Sequence, residues 1–135
     1  MKKIIKISLT TVTAVLIFGL FSFVSFQTKP WPVPAGDNTK VSPVKSSPAT
    51  IEEGKTLYVK NCQACHGKMG LGDGPKAKLL ESSAGDFSGK AFQSQTDGSI
   101  FFKTEKGRGD MPAYKGKVED TDLWKIIVFM RTFKK

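Results

Sequence analysis

Cys62-Gln63-Ala64-Cys65-His66 is the stretch of this chain whose residue types and spacing could do chemistry. Two thiols three residues apart lie on one side of a helical turn, where both can reach the two vinyl-derived carbons of a single porphyrin. The next residue then falls under the metal. Cys-x-x-Cys-His therefore reads as an attachment site for one covalent haem c, with thioethers from Cys62 and Cys65 and His66 as the proximal iron ligand. The chain has only two cysteines and one histidine, so no second motif competes. A zinc site needs about four ligands, and beyond these three the chain offers only carboxylates. A thioredoxin-type dithiol wants a βαβ pattern around it, and none is present.

The sixth iron position separates a carrier from a catalyst. A thioether there favours ferrous iron, whereas an open position would admit oxygen or peroxide. Of four methionines, Met69 follows His66 too closely to reach the other side, and Met1 lies at the chain's start. Met130 falls in an apolar helical stripe, where methionine usually packs. Met111 remains, in a loop bounded by Gly109 and Pro112, and is the expected distal ligand; an ordinary core methionine is the alternative. Arg108, Tyr114 and Lys115 lie close by in sequence, as propionate partners or as solvated side chains. With its histidine and cysteines committed, the chain shows no catalytic constellation, and no enzyme is expected. The glycine-rich loop at 67–75 matches neither a dinucleotide fingerprint nor a P-loop.

Helices must position these groups. Thr50 with Glu53 fits a capping box opening a helix that ends near Asn61. Gly54 inside it costs about 1 kcal/mol against alanine, which points to a close helix crossing or to a tolerated first-turn glycine. A short helix is expected over 76–80, then a loop through Phe92. Asp97-Gly98 reads as a turn before a helix over 99–106, with Ile100, Phe101 and Phe102 inward. The last helix, capped by Asp120 or Thr121, carries Leu123, Ile126, Ile127, Met130 and Phe133 as one stripe, widened by Trp124, Val128 and Phe129. The fold class is all-α.

The chain divides into three parts. Residues 1–28 hold Lys2, Lys3 and Lys6 and then an uncharged run over 7–26, near the ~20 residues that span a bilayer. An uncleaved membrane anchor is preferred to a cleaved signal peptide, which would leave a soluble periplasmic protein; either way the rest lies outside the cytoplasmic membrane. Residues 29–50 hold five of the seven prolines and read as a semi-rigid linker, from which Trp31 and Val33 have the bulk to dock on the domain. Residues 51–135 form the haem domain, too small for a large core unless the haem fills part of it. A formal net charge of +9 suits docking to redox partners with acidic surfaces, or simply a solvated lysine surface. No basic run interleaved with aromatics marks a nucleic-acid groove.

Several residues together resemble the class I cytochromes c, in particular small mono-haem bacterial forms. They are Gly54 and Tyr58 ahead of Cys62-x-x-Cys65-His66-Gly67, Gly-x-Gly-Asp-Gly-Pro through Pro75, Gly-x-x-Asp-Met111-Pro112, and Leu-Trp followed by Phe129-Met-Arg. The resemblance implies a cytochrome c fold with first and last helices crossing, Gly54 and Tyr58 meeting Ile126 and Phe129. It implies that the Pro75 carbonyl accepts from the His66 nitrogen that does not bind iron. The function implied is one-electron transfer between respiratory-chain proteins, as a carrier or as the haem-bearing subunit of a larger oxidoreductase. A ligand-binding sensor or peroxidase remains the reading if Met111 is not bound.

Overall fold

Helix α2, Pro48–Asn61, crosses the C-terminal helix α6, Asp120–Arg131, and this pair is the frame of the fold. The computed structural model describes residues 30–135. Its contacts divide the chain into the units Met1–Trp31 and Pro32–Lys135, and the second carries every element named below. The expected anchor or signal over 1–28 lies outside the described residues. Among the described residues no strand forms, and no helix is long and apolar enough to cross a membrane. The all-α expectation holds.

The first helix begins earlier than the capping box implied. Ser47 is the N-cap, its Oγ accepting from the Thr50 N–H at 3.1 Å, and Pro48 takes the first helical position, where its missing N–H costs nothing. Glu53 is thereby released from capping and pairs with Lys125 of α6 at 2.9 Å. Gly54 marks the closest approach of the two helices: a Cβ there would stand 2.1 Å from the Lys125 carbonyl oxygen. Below it Tyr58 meets Phe129 at a tilt and Phe133 edge-on, at 5.3 and 5.4 Å between ring centres.

Helix α6 starts after Glu119, which makes no side-chain cap, and Asp120 and Asp122 sit in its first turn, where the helix dipole favours negative charge. Leu123, Trp124, Ile126, Ile127 and Met130 are buried along it, with Phe133 just beyond its end. Helix α5, Asp97–Lys106, is capped by Thr96, whose hydroxyl accepts from the Ser99 N–H. Asp97-Gly98 is thus the helix's first turn and not a separate turn before it. Ile100 and Phe101 are buried as expected, Phe101 stacking on Trp124 at 4.3 Å, while Phe102 is only half-buried. The short helix expected over 76–80 is a single 3₁₀ turn, Ala77–Leu79, and α4, Lys90–Gln93, interrupts the expected loop. Arg131 ties these parts together: its guanidinium bonds Asp97, Gln93 and Gln95 and lies over the Phe92 ring.

The proline-rich segment does not stand off as a free linker. From Pro32 onward it belongs to the folded unit. Its short helix α1, Ala35–Asn38, packs on α5, and the Asn38 carbonyl accepts from the Thr96 hydroxyl at 2.8 Å. Lys40 lies over the Phe101 ring, Val44 packs on the core, and Val33 is half-buried.

Candidate haem site

Cys62 ends α2, its N–H donating to the Tyr58 carbonyl at 2.8 Å, and a new turn follows at once as α3, Gln63–His66. The Cys65 and His66 N–H groups both donate to the Cys62 carbonyl, at 3.2 and 3.0 Å. The whole motif is therefore one compact turn. Both thiols are free and half-buried, and burial pushes the Cys62 thiol up to about 12, with the neighbouring Cys65 adding to it.

The glycine-rich loop folds back over this turn and satisfies its carbonyls. Gly72, Gly74 and Lys76 donate their N–H groups to His66, Cys65 and Ala64, at 2.9, 3.2 and 2.8 Å. Such contact demands glycine: a Cβ on Gly74 would stand 2.4 Å from the Ala64 oxygen. Gly67, at φ 81°, reverses the chain after His66, and its carbonyl accepts from the fully buried Tyr58 hydroxyl at 2.8 Å. Desolvation raises the Tyr58 hydroxyl well above its ordinary value, so it remains a donor.

His66 stacks on Phe87 with 4.4 Å between ring centres, and Phe87 in turn stacks on Phe92 at 4.3 Å. Burial lowers the His66 pKa, against an opposing backbone hydrogen bond at Ala84, and so favours the neutral imidazole that metals bind. The bond expected to the Pro75 carbonyl is not made: Nδ1 is buried without any hydrogen-bond partner. Pro75 is exposed, and it is the next residue, Lys76, that bonds the motif. The loop's many hydrogen bonds to the turn fix Pro75 through its neighbours instead.

Met111 is half-buried in a tight turn closed by two main-chain bonds with Arg108, at 2.9 and 3.1 Å. On one side, the Asp110 carboxylate accepts from the N–H groups of Glu81 and Ser82, at 2.8 and 3.3 Å. On the other, the Tyr114 hydroxyl donates to the Asn61 carbonyl at 2.5 Å, one residue before Cys62. Burial pushes that hydroxyl up to about 12, with the Cys62 and Cys65 thiols adding to it. Lys115 bonds Glu105 at 2.9 Å, so its charge is engaged within the chain. Sequence reasoning placed Tyr58 against Phe129 at the helix crossing but missed its hydroxyl bond to Gly67, and it missed the roles of Phe87, Asp110 and Asn61. Only Tyr58, four residues before Cys62, carried a local signal, the helical i, i+4 spacing.

These residues fit a covalent haem. The thiols share a turn and are unpaired, and burial keeps the adjoining His66 imidazole in the neutral form that metals bind. Among the described residues no three His, Cys, Asp or Glu side chains are grouped to hold a metal by themselves, as a zinc site would require. A single haem-binding turn of this kind in an all-α domain defines a small class I c-type cytochrome, with haem c and its iron as cofactor.

The family model described as cytochrome C oxidase, cbb3-type, subunit III matches residues 49–130, and the chain belongs to that family. Cytochrome c6 of Synechocystis sp. (strain ATCC 27184 / PCC 6803 / Kazusa) is 28% identical over 82 residues, 61% of this chain and 64% of that protein, so the likeness spans a little under two thirds of the relative. Cytochrome c6 of Leptolyngbya boryana is 31% identical over the same share of this chain and 91% of its own. Among solved structures, the KustC0563 c-type cytochrome superposes with a TM-score of 0.54 at 25% identity, over 61% of this chain and 98% of that one. A chain of the Kuenenia stuttgartiensis reducing HAO-like protein complex Kustc0457/Kustc0458 gives 0.62 at 24% identity, over 69% of this chain and 47% of that one.

Proposed function

We propose that this haem c protein is a one-electron carrier in which His66 and Met111 would hold the iron. One observation carries the reading: the Tyr114 hydroxyl, three residues past Met111, is bonded to the carbonyl just before Cys62. A thioether-bearing loop is thereby tied to the haem-binding turn. The bound haem supplies reversible Fe(II)/Fe(III) cycling. The chain's own residues keep both ligands in place: Phe87 stacks on the imidazole, Tyr58 holds Gly67 behind it, and Asp110 and Tyr114 flank the methionine. We read the chain as a carrier and not a catalyst because its one histidine and both cysteines are spent on the haem.

The net charge of +9 supports brief, charge-steered contacts with acidic redox partners, which we take to be respiratory-chain proteins. Lys2, Lys3 and Lys6 ahead of the uncharged run support a domain outside the cytoplasmic membrane, anchored or released by cleavage.

Absorption and magnetic circular dichroism of the oxidised holoprotein test this. A methionine–iron charge-transfer band is expected, and Met111→Ala should abolish it and lower the reduction potential. A high-spin spectrum of the unaltered protein, or a band that survives Met111→Ala, overturns the ligand set. The family model's description favours a second reading, a haem-bearing subunit of a larger oxidoreductase. Stoichiometric co-purification with other chains from membranes would decide for it.

A further inference from the structure

We infer that Tyr114 is a positioning residue for Met111, a latch that sets how often the methionine loop leaves the iron; this rests on the Met111 ligation proposed above. The Met111 turn is closed on itself by two main-chain bonds, Arg108 N–H to Met111 carbonyl and Met111 N–H to Arg108 carbonyl. Both of its roots lie on one element. Upstream it leaves α5 at Gly107. Downstream, the Tyr114 and Lys115 N–H groups return to the Glu105 carbonyl of the same helix, at 3.2 and 3.1 Å. A turn rooted twice on one helix is free to swing about it unless something reaches across.

Asp110 and Tyr114 both reach across. Asp110 grips the Glu81 and Ser82 backbone, but those bonds are solvent-exposed, where water competes for each partner. Tyr114 spans to the haem-binding turn, with its ring packed against the core and its hydroxyl on Asn61. Asn61 is the last residue of α2, where carbonyls have no intrahelical donor and need one from elsewhere. The latch is thus a half-buried bond between two segments 53 residues apart, and it holds the loop at a fixed distance from Cys62. A phenylalanine would keep the ring packing and lose only that distance constraint.

The test uses the haem-loaded chain and imidazole as a probe, because imidazole reaches ferric iron only when Met111 has left. Tyr114→Phe should bind imidazole about tenfold faster and tighter than the unaltered protein, the effect expected for one half-buried hydrogen bond. Its charge-transfer band should also be lost at a lower denaturant concentration than its helical signal. A bond with a purely structural role would move the unfolding midpoint alone. Asp110→Ala, altering the exposed tether, should change imidazole binding less than Tyr114→Phe does. Unchanged imidazole binding in Tyr114→Phe, with the band present in the unaltered protein, overturns the latch and leaves the His66/Met111 reading standing. An unaltered protein without the band overturns both.

Discussion

Glu105 is the one charged side chain buried among the described residues, and it braces the loop that carries Met111. Its carboxylate accepts from Lys115 at 2.9 Å and lies 3.7 Å from Lys106, while its main-chain carbonyl holds the Tyr114 and Lys115 N–H groups. The Lys115 hydrogen bond holds the Glu105 pKa below its ordinary value, helped by the charges of Lys106, Lys115 and Lys40 and opposed by burial. A depressed carboxylate pKa adds stability that is complete above the unfolded value, about 4.3, and disappears as pH falls through the folded one. The haem-loaded protein should therefore lose stability on acidification below about pH 4 by way of this group. Glu105→Gln should unfold at lower denaturant than the parent at pH 7, and the gap should narrow as the pH falls below the ordinary carboxylate range. Denaturation midpoints measured at several pH values check this; a gap of constant size would remove Glu105 from the account.

At the scale of elements, two glycines record where backbones touch, and they differ in what lies opposite. Gly54 faces the Lys125 carbonyl of α6, 2.1 Å from where a Cβ would be, and Gly98 faces the Asp37 carbonyl of the N-terminal segment, at 2.3 Å. Alanine at either site gains about 1 kcal/mol of helix propensity and meets an oxygen that must move. At Gly54 that oxygen belongs to the principal helix pair of the fold, so Gly54→Ala should destabilise by about 3 kcal/mol. At Gly98 only the outer segment is displaced, and a loss of about 1 kcal/mol is expected. Chemical denaturation of both variants checks the order, and the reverse order would mean that the N-terminal segment carries more of the fold than α2 and α6 do. The sequence showed Gly54 and the apolar stripe of α6 plainly, because both are signals local to one helix. The fate of residues 32–47 was hidden, since proline and serine content reports local stiffness and says nothing of what a segment packs against. Ser47-Pro48 was overshadowed by the Thr50–Glu53 pattern, although proline at the first helical position fits it equally well. The Tyr114 and Asp110 bonds join residues 53 and 29 apart, and no spacing rule reaches that far.

For the molecule as a whole, the haem is expected to act as core. Among the described residues the buried apolar set is ten, most of them on α5 and α6: Tyr58, Phe87, Ile100, Phe101, Leu123, Trp124, Ile126, Ile127, Met130 and Phe133. A domain of this size buries a modest share of its surface and is marginal without added cross-links or cofactor. Cys62 packs against that set, so a haem bonded there joins the core at the end of α2, beside the helix crossing. Replacing both thiols by alanine removes little side-chain volume, which makes the double variant a test of the haem rather than of cysteine packing. Cys62→Ala/Cys65→Ala should therefore show reduced helical circular dichroism, bind a hydrophobic dye, and melt without a sharp transition. Added free haemin should recover part of the helix signal through His66 alone, less than the covalent adduct gives. A haem-free double variant that melts cooperatively near the temperature of the holoprotein would show that the ten apolar side chains suffice, and that the cofactor is cargo for a fold that stands without it.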